Sequence, residues 1–214
     1  MDSYRTKLSN VDPRRTKLSN MRSYVGKSKI EMSLNMAKYF PNRNNTALTL
    51  STDHEPVSTH TELGTYCTGA QFNQKYKGKI FVKLTNKEEC HNGFQFNTGL
   101  NTDTVEFTPY GNCLPGGIYF CEFDKIYQWI EYNYNLMSNM RAVTIPDDAQ
   151  VYETAHDIKA DKLILGSALD IWDDYDMCYL IICQNPNLIV HVSKEMKTAE
   201  LMDCYNNKME ELTC

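Results

Sequence analysis

A chain of 214 residues with a formal net charge of −5, 42% hydrophobic and 11% aromatic, has the composition of a globular protein and the length for one domain with an appendage or two small ones. Bulk disorder is excluded by that composition, and no run approaches the roughly 18 apolar residues of a membrane span, so no membrane association is expected. No apolar core follows Met1, which argues against a secretory leader.

Charge is unevenly distributed along the chain. Residues 1–50 hold ten Lys and Arg against three acids, a net +7, and the total of −5 therefore leaves −12 for the remainder. A basic arm on an acidic body predicts a polyanionic or acidic partner for the arm, or else a solvated tail. Within the arm, Arg5-Thr-Lys-Leu-Ser-Asn10 recurs as Arg15-Thr-Lys-Leu-Ser-Asn20. Each copy sets one leucine beside two cations, so the tandem reads either as two docking points or as slippage in a tolerant tail. The expected contact residues are Tyr4, Arg5, Leu8, Arg14, Arg15, Leu18 and Tyr24, with Tyr4 and Tyr24 also available to stack on bases.

Ser28-Lys-Ile-Glu31 has the form of a capping box, and Ile30, Leu34, Ala37 and Phe40 share one helical face before Pro41 ends the run. Residues 1–41 are thus expected as a basic arm with a short amphipathic helix. Residues 42–78, rich in Asn, Thr, Ser and Gly, read as linker or peripheral structure, with a possible strand at Ala47–Leu50 and solvated His54 and His60.

An α+β body follows over 79–167. Strands are predicted at Lys79–Leu84, Gly93–Phe96, Thr104–Phe107 and Ile118–Cys121, with tight turns at Asn97-Thr-Gly99, Tyr110-Gly-Asn and Pro115-Gly-Gly117. From Glu122 the period changes, and Phe123, Ile126, Tyr127, Trp129, Ile130 and Tyr134 predict an amphipathic helix. Strands at Arg141–Ile145 and Ala149–Tyr152 flank a Pro146-Asp-Asp turn, and Lys162–Leu165 closes the body. The last segment, 168–214, reads as a helical module interrupted at Asn185-Pro-Asn-Leu188, with Pro186 in the first turn of one helix and Thr198 capping the next.

The fold class expected from these elements is α+β. It combines a small, mostly antiparallel sheet and one or two packed helices with a short C-terminal helical module and an extended basic N-terminal arm. The eight cysteines, Cys67, Cys90, Cys113, Cys121, Cys178, Cys183, Cys204 and Cys214, are scattered and are expected as reduced thiols. Neither Cys113 with Cys121 nor Cys178 with Cys183 has zinc spacing, and Cys90 and His91 are neighbours pointing opposite ways on a strand, so no metal and no cofactor are expected.

Three resemblances attach to these segments. The order His91-Asn-Gly-Phe-Gln-Phe96, Leu114-Pro-Gly-Gly-Ile-Tyr-Phe120 and Val143-Thr-Ile-Pro-Asp-Asp-Ala-Gln-Val-Tyr152 resembles the N-terminal module of uncharacterised and ankyrin-repeat-bearing proteins of mimivirus-type giant DNA viruses, over about half the chain (residues ~80–166). The segment Tyr179–Val192 with Thr198–Leu201 resembles one degenerate unit of short helical repeats (~168–210). That lineage implies a location in the viral factory of the host cytoplasm or in the virion, and no activity. Gly116-Gly-Ile-Tyr-Phe120 before an amphipathic run also looks like the second signature of ADP-ribosyltransferase folds. That likeness implies Tyr119 as a stacking tyrosine, His91 as a ribose-binding histidine and Glu153 as the carboxylate at an oxocarbenium-like centre. The residues after Gly93 are Phe and Gln, where a small hydroxyl residue is expected. Read without that likeness, Tyr119 is a sheet aromatic, His91 a loop residue entering a strand, and Glu153 a strand-end charge.

Three functions follow as expectations. The leading one is a non-catalytic interaction protein of a giant DNA virus that binds a viral or host protein through its arm. The second is a nucleic-acid-associated virion or gene-expression factor acting through residues 1–43. The third is an ADP-ribosyltransferase-like enzyme or an inactive relative, with His91, Tyr119 and Glu153 as the catalytic candidates.

Overall fold

The structure, a computed structural model, describes residues 64–110, 114–132 and 135–213. The arm with its candidate contact residues, the helix ending at Phe40, the strand at Ala47–Leu50, and His54 and His60 lie outside the described residues. A nine-stranded sheet organises the rest. Its strands are β1 (Thr65–Thr68), β2 (Phe81–Thr85), β5 (Gly99–Thr102), β6 (Ile118–Glu122), β9 (Asn139–Thr144), β10 (Gln150–Glu153), β11 (Ile158–Ala160), β12 (Lys162–Leu165) and β13 (Leu169–Asp170). They run in the order β1-β10-β11-β6-β2-β9-β12-β5, with β13 also on β9, and every pairing is antiparallel. Two small hairpins stand apart, β3 (Cys90–His91) with β4 (Phe94–Gln95) and β7 (Glu131–Tyr132) with β8 (Asn135–Leu136). The α+β class and the antiparallel sheet are as expected, and the sheet is larger than the sequence suggested.

Because successive residues of a strand face opposite ways, β2 feeds two cores. Phe81 packs with Phe72, Ile118, Phe120, Val143 and Leu163 on one face. Val82 and Leu84 pack with Cys121, Met140, Met177 and Ile181 on the other. Helix α1 (Gly69–Lys75) covers the first face through Phe72, whose ring lies 5.0 Å from Phe81. The C-terminal helices α2 (Tyr175–Gln184) and α3 (Ala199–Thr213) cover the second. Residues 64–78, expected as linker or peripheral structure, therefore supply the edge strand β1 and a core-covering helix.

Helix α1 starts at a capping box formed by Thr68 and Gln71, and its first amides donate into the β9–β10 turn: Gly69 N to Ala149 O at 2.7 Å and Ala70 N to Asp147 O at 3.0 Å. Docking this close leaves no room for a side chain, since a Cβ on Gly69 would sit 1.8 Å from the Pro146 carbonyl oxygen. Gly69→Ala is expected to destabilise the protein by about 1–3 kcal/mol, the usual range for forced overpacking, seen as a lower urea midpoint with an unchanged slope.

Several sequence expectations are corrected. The helix expected from Glu122 is a six-residue 3-10 segment, Phe123–Gln128, followed by the β7–β8 hairpin. Three residues per turn bring Phe123, Ile126 and Trp129 to one core, a spacing that an α-helix reading also accommodates over so short a span. Thr104–Phe107 is not a strand, because Asp103 folds back to accept from Val105 N at 3.1 Å and makes a turn there. The pairing falls one segment earlier, on β5, whose Leu100 is 63% exposed while Asn101 is buried. The Asn101 amide is satisfied by the carbonyls of Asn97 and Gly99 at 2.7 and 2.8 Å. The helix expected from Ala168 begins only at Tyr175, after β13, because Asp174 caps it by accepting from Met177 N at 3.1 Å. Pro186 does open a helical turn, Pro186–His191, and Thr198 caps α3 by accepting from Leu201 N at 3.2 Å.

Cysteine chemistry differs as well. Cys183 of α2 and Cys204 of α3 form a disulfide, with their Cα atoms 5.8 Å apart across a sequence separation of 21. Spacing along the chain carries no trace of this pair, because helix packing creates it. Cys67, Cys90, Cys121 and Cys178 are free thiols.

Candidate functional site

A cavity of about 550 Å³ opens beside the β3–β4 hairpin, and that volume is in the range of small-molecule sites. Its walls come from separate parts of the chain, each fixed by local chemistry. Asn92 and Gly93 hold φ of 50° and 80°, the mirror-image turn that suits a two-residue hairpin, so His91 and Phe94 pair across it. The hairpin is anchored below by Glu89, whose carboxylate grips Arg141 of β9 through Nε to Oε1 at 2.8 Å and Nη2 to Oε2 at 2.6 Å. Arg141 Nη1 also donates to the Thr98 hydroxyl at 2.9 Å and to the Gly166 carbonyl at 2.6 Å. One buried guanidinium thus ties together the hairpin, the Thr98 turn and the end of β12.

The opposite lip is the Gly116–Gly117 turn, which lines the cavity. Both glycines hold positive φ, 85° and 126°, and a Cβ on Gly116 would stand 2.3 Å from the Glu106 carbonyl oxygen. Gly117 N donates to Asp103 Oδ2 at 2.6 Å, which aims the turn into β6. On β6, Tyr119 donates its hydroxyl to the Leu114 carbonyl at 3.1 Å, and the Lys159 amine lies 5.3 Å from its ring centre.

Of the three sequence-predicted catalytic residues, His91 and Tyr119 line this cavity and Glu153 does not. His91 is held neutral. Its Nε2 accepts from Asn86 N at 3.3 Å, which leaves the ring proton on Nδ1, and burial together with the Lys83 charge brings its pKa down to about 4. Glu153 lies at the far end of β10, where it pairs with Lys75 and accepts from the Tyr76 hydroxyl at 2.8 Å. The hydrogen bond to Glu153 raises the Lys75 pKa, and β11 and β6 separate this group from β2 in the sheet. The His91, Tyr119 and Glu153 side chains therefore do not converge on one point.

The residue that sequence reasoning passed over is Lys83. An alternating reading of Lys79–Leu84 assigns it to a polar face, yet β2 is a central strand buried on both faces, and Lys83 is only 7% exposed. Its amine lies 5.0 Å from the Phe96 ring centre, and desolvation lowers its pKa to about 8. The available signal was a single lysine within Ile-Phe-Val-Lys-Leu, an apolar run typical of a strand with no solvent face. Cys121, buried on β6, is pushed up to about 12 by desolvation, so the thiol stays protonated and is no nucleophile. Among the described residues no three His, Cys, Asp or Glu side chains gather in a metal-binding group, and no helix is long and apolar enough to cross a membrane.

An antiparallel α+β module with a helical C-terminal cover, a hairpin-walled cavity and a diglycine lip is the class of protein that these features define. By sequence the chain belongs to the family of a mimivirus protein, "Uncharacterized protein R869" of Acanthamoeba polyphaga mimivirus, being 34% identical over 116 residues that cover 51% of this chain and 84% of the relative. It is also 33% identical over 115 residues to "Putative ankyrin repeat protein R868" of the same virus, covering 50% of this chain and 55% of that protein. A further relative there, "Putative ankyrin repeat protein R896", is 30% identical over 103 residues, 44% of this chain and 29% of its own length. The chain thus spans about half of R868 and less of R896. No protein-family model matches the chain, and no solved structure matches it.

Proposed function

We propose that this protein is a non-catalytic interaction protein of a giant DNA virus, working in the viral factory or the virion and held to a viral or host protein by its basic arm. The observation that carries the reading is the charge division, +7 over residues 1–50 against −12 over the rest. Such a leader attracts an acidic surface, and the duplicated Arg-Thr-Lys-Leu-Ser-Asn motif gives it two chances to engage by charge plus a leucine anchor. Kinship with proteins named for ankyrin repeats supports a role in protein association. The enzymatic alternative keeps His91 and Tyr119 in one cavity but lacks its carboxylate, because Glu153 is engaged by Lys75 and Tyr76 elsewhere.

Affinity purification from infected cells, with the full chain and with residues 1–27 deleted, tests the proposal. Loss of the principal protein partner on deletion is the expected result, and an unchanged set of partners refutes it. Where nucleic acid is recovered instead, its release should follow salt steeply, as counterion displacement requires, and that outcome replaces protein attachment by phosphate binding.

A further inference from the structure

The geometry points to the cavity as a binding site for a small organic anion, a flat apolar compound with one carboxylate, sulfonate or phosphate group that meets the Lys83 amine. Ionised side chains inside proteins are ordinarily paired, and the neighbouring cations obey this. Arg141, which faces Lys83 in the register of β2 and β9, has four hydrogen bonds to Glu89, Thr98 and Gly166, and Lys159 donates to the Leu114 carbonyl at 3.4 Å. Among the described residues Lys83 has no acceptor, only the face of Phe96. The Asp103 carboxylate in the cavity wall is taken by the amides of Val105 and Gly117. The Cys121 thiol is kept protonated by burial and supplies no counter-charge to the amine.

The cavity walls match the rest of such a ligand. Phe94 and Phe96 stand 4.9 Å apart as a tilted pair at one side, and Trp129 with its neighbour Tyr132 at another. Aromatic surfaces at these attitudes favour a flat guest. The Gly116–Gly117 turn closes the rim, its Cβ positions taken up by the Glu106 carbonyl and the Lys159 side chain. The site is independent of the arm, so its failure leaves the attachment proposal standing and the reverse holds too.

The test uses the full chain and two probes, 2-naphthoate and the uncharged 2-naphthylmethanol, titrated by calorimetry with the Gly116 and Gly117 amide resonances followed in parallel. Wild type should bind naphthoate more tightly than the alcohol by about tenfold or more, the equivalent of one charge-assisted hydrogen bond, and both glycine resonances should shift on saturation. Lys83→Met should bind the two probes alike, and Lys83→Gln, which keeps a polar end in the cavity, should do the same. Equal affinities in the wild type, a preference for naphthoate that survives both substitutions, or no saturable binding of either probe would each overturn the assignment.

Discussion

Replacing Glu89 by alanine will destabilise the protein by about 3–5 kcal/mol, the range found when one partner of a buried ion pair is removed. The reason lies in what stays behind. Arg141 is buried and cannot shed its charge, so without the bidentate carboxylate at 2.8 and 2.6 Å it keeps only the Thr98 hydroxyl and the Gly166 carbonyl. Urea unfolding monitored by Trp fluorescence gives the value. The double variant Glu89→Ala with Arg141→Met should regain a large part of the loss, because the stranded charge has then gone as well. Hydrogen exchange adds a spatial check: the amide of Phe96, which donates to the Glu89 carbonyl at 2.9 Å, should exchange faster in the single variant. A loss under about 1 kcal/mol, the level of an exposed pair, would show that the Arg141 site is wetter than this geometry implies.

Lys83→Met has the opposite sign, stabilising the protein at pH 7. In the folded state burial holds the Lys83 pKa at about 8, against 10.5 for the free side chain. A depressed lysine pKa means that the unfolded chain binds more protons between those two values, so stability rises with pH across that window. Below pH 8 the penalty is fully present, and at one pKa unit per 1.36 kcal/mol it amounts to about 3 kcal/mol. Methionine, close in length and uncharged, removes the penalty and leaves a side chain suited to an irregular apolar gap. The gain in unfolding free energy should be largest at pH 7 and shrink to nothing near pH 10.5. A variant no more stable than wild type at pH 7 would mean that the amine already has a counter-ion.

How far the fold could be read from the sequence depended on whether the signal was local. The diglycine turn, the Pro186 start and the Thr198 cap are encoded in adjacent residues, and all appear where the chain predicts them, whereas the turn at Asn92-Gly93 takes Gly93 out of the strand expected over Gly93–Phe96. β1, β5 and β11 were missed because short edge or inner strands owe their pairing to distant partners, such as Thr65 with Glu153 and Lys162 with Thr102. Their composition gives no warning: in β5 it is Asn101 that points inward and Leu100 outward. The same holds for the candidate site. His91 and Tyr119 were legible because each sits in a recognisable turn-and-strand context, while Lys83 depended on knowing that β2 is central, a property of the sheet order and not of the strand. Glu153 was placed in the wrong company for a related reason: its partners Lys75 and Tyr76 belong to a helix that the sequence presented as a linker.

The diglycine lip also sets how this lineage can diversify. Since any larger residue at Gly116 would drive into the Glu106 carbonyl and at Gly117 into the Lys159 chain, that rim is locked in size. Selectivity must then be sculpted from the facing wall, where a change of Phe94, Trp129 or Tyr132 can widen or narrow the chamber without disturbing the backbone that shapes its mouth.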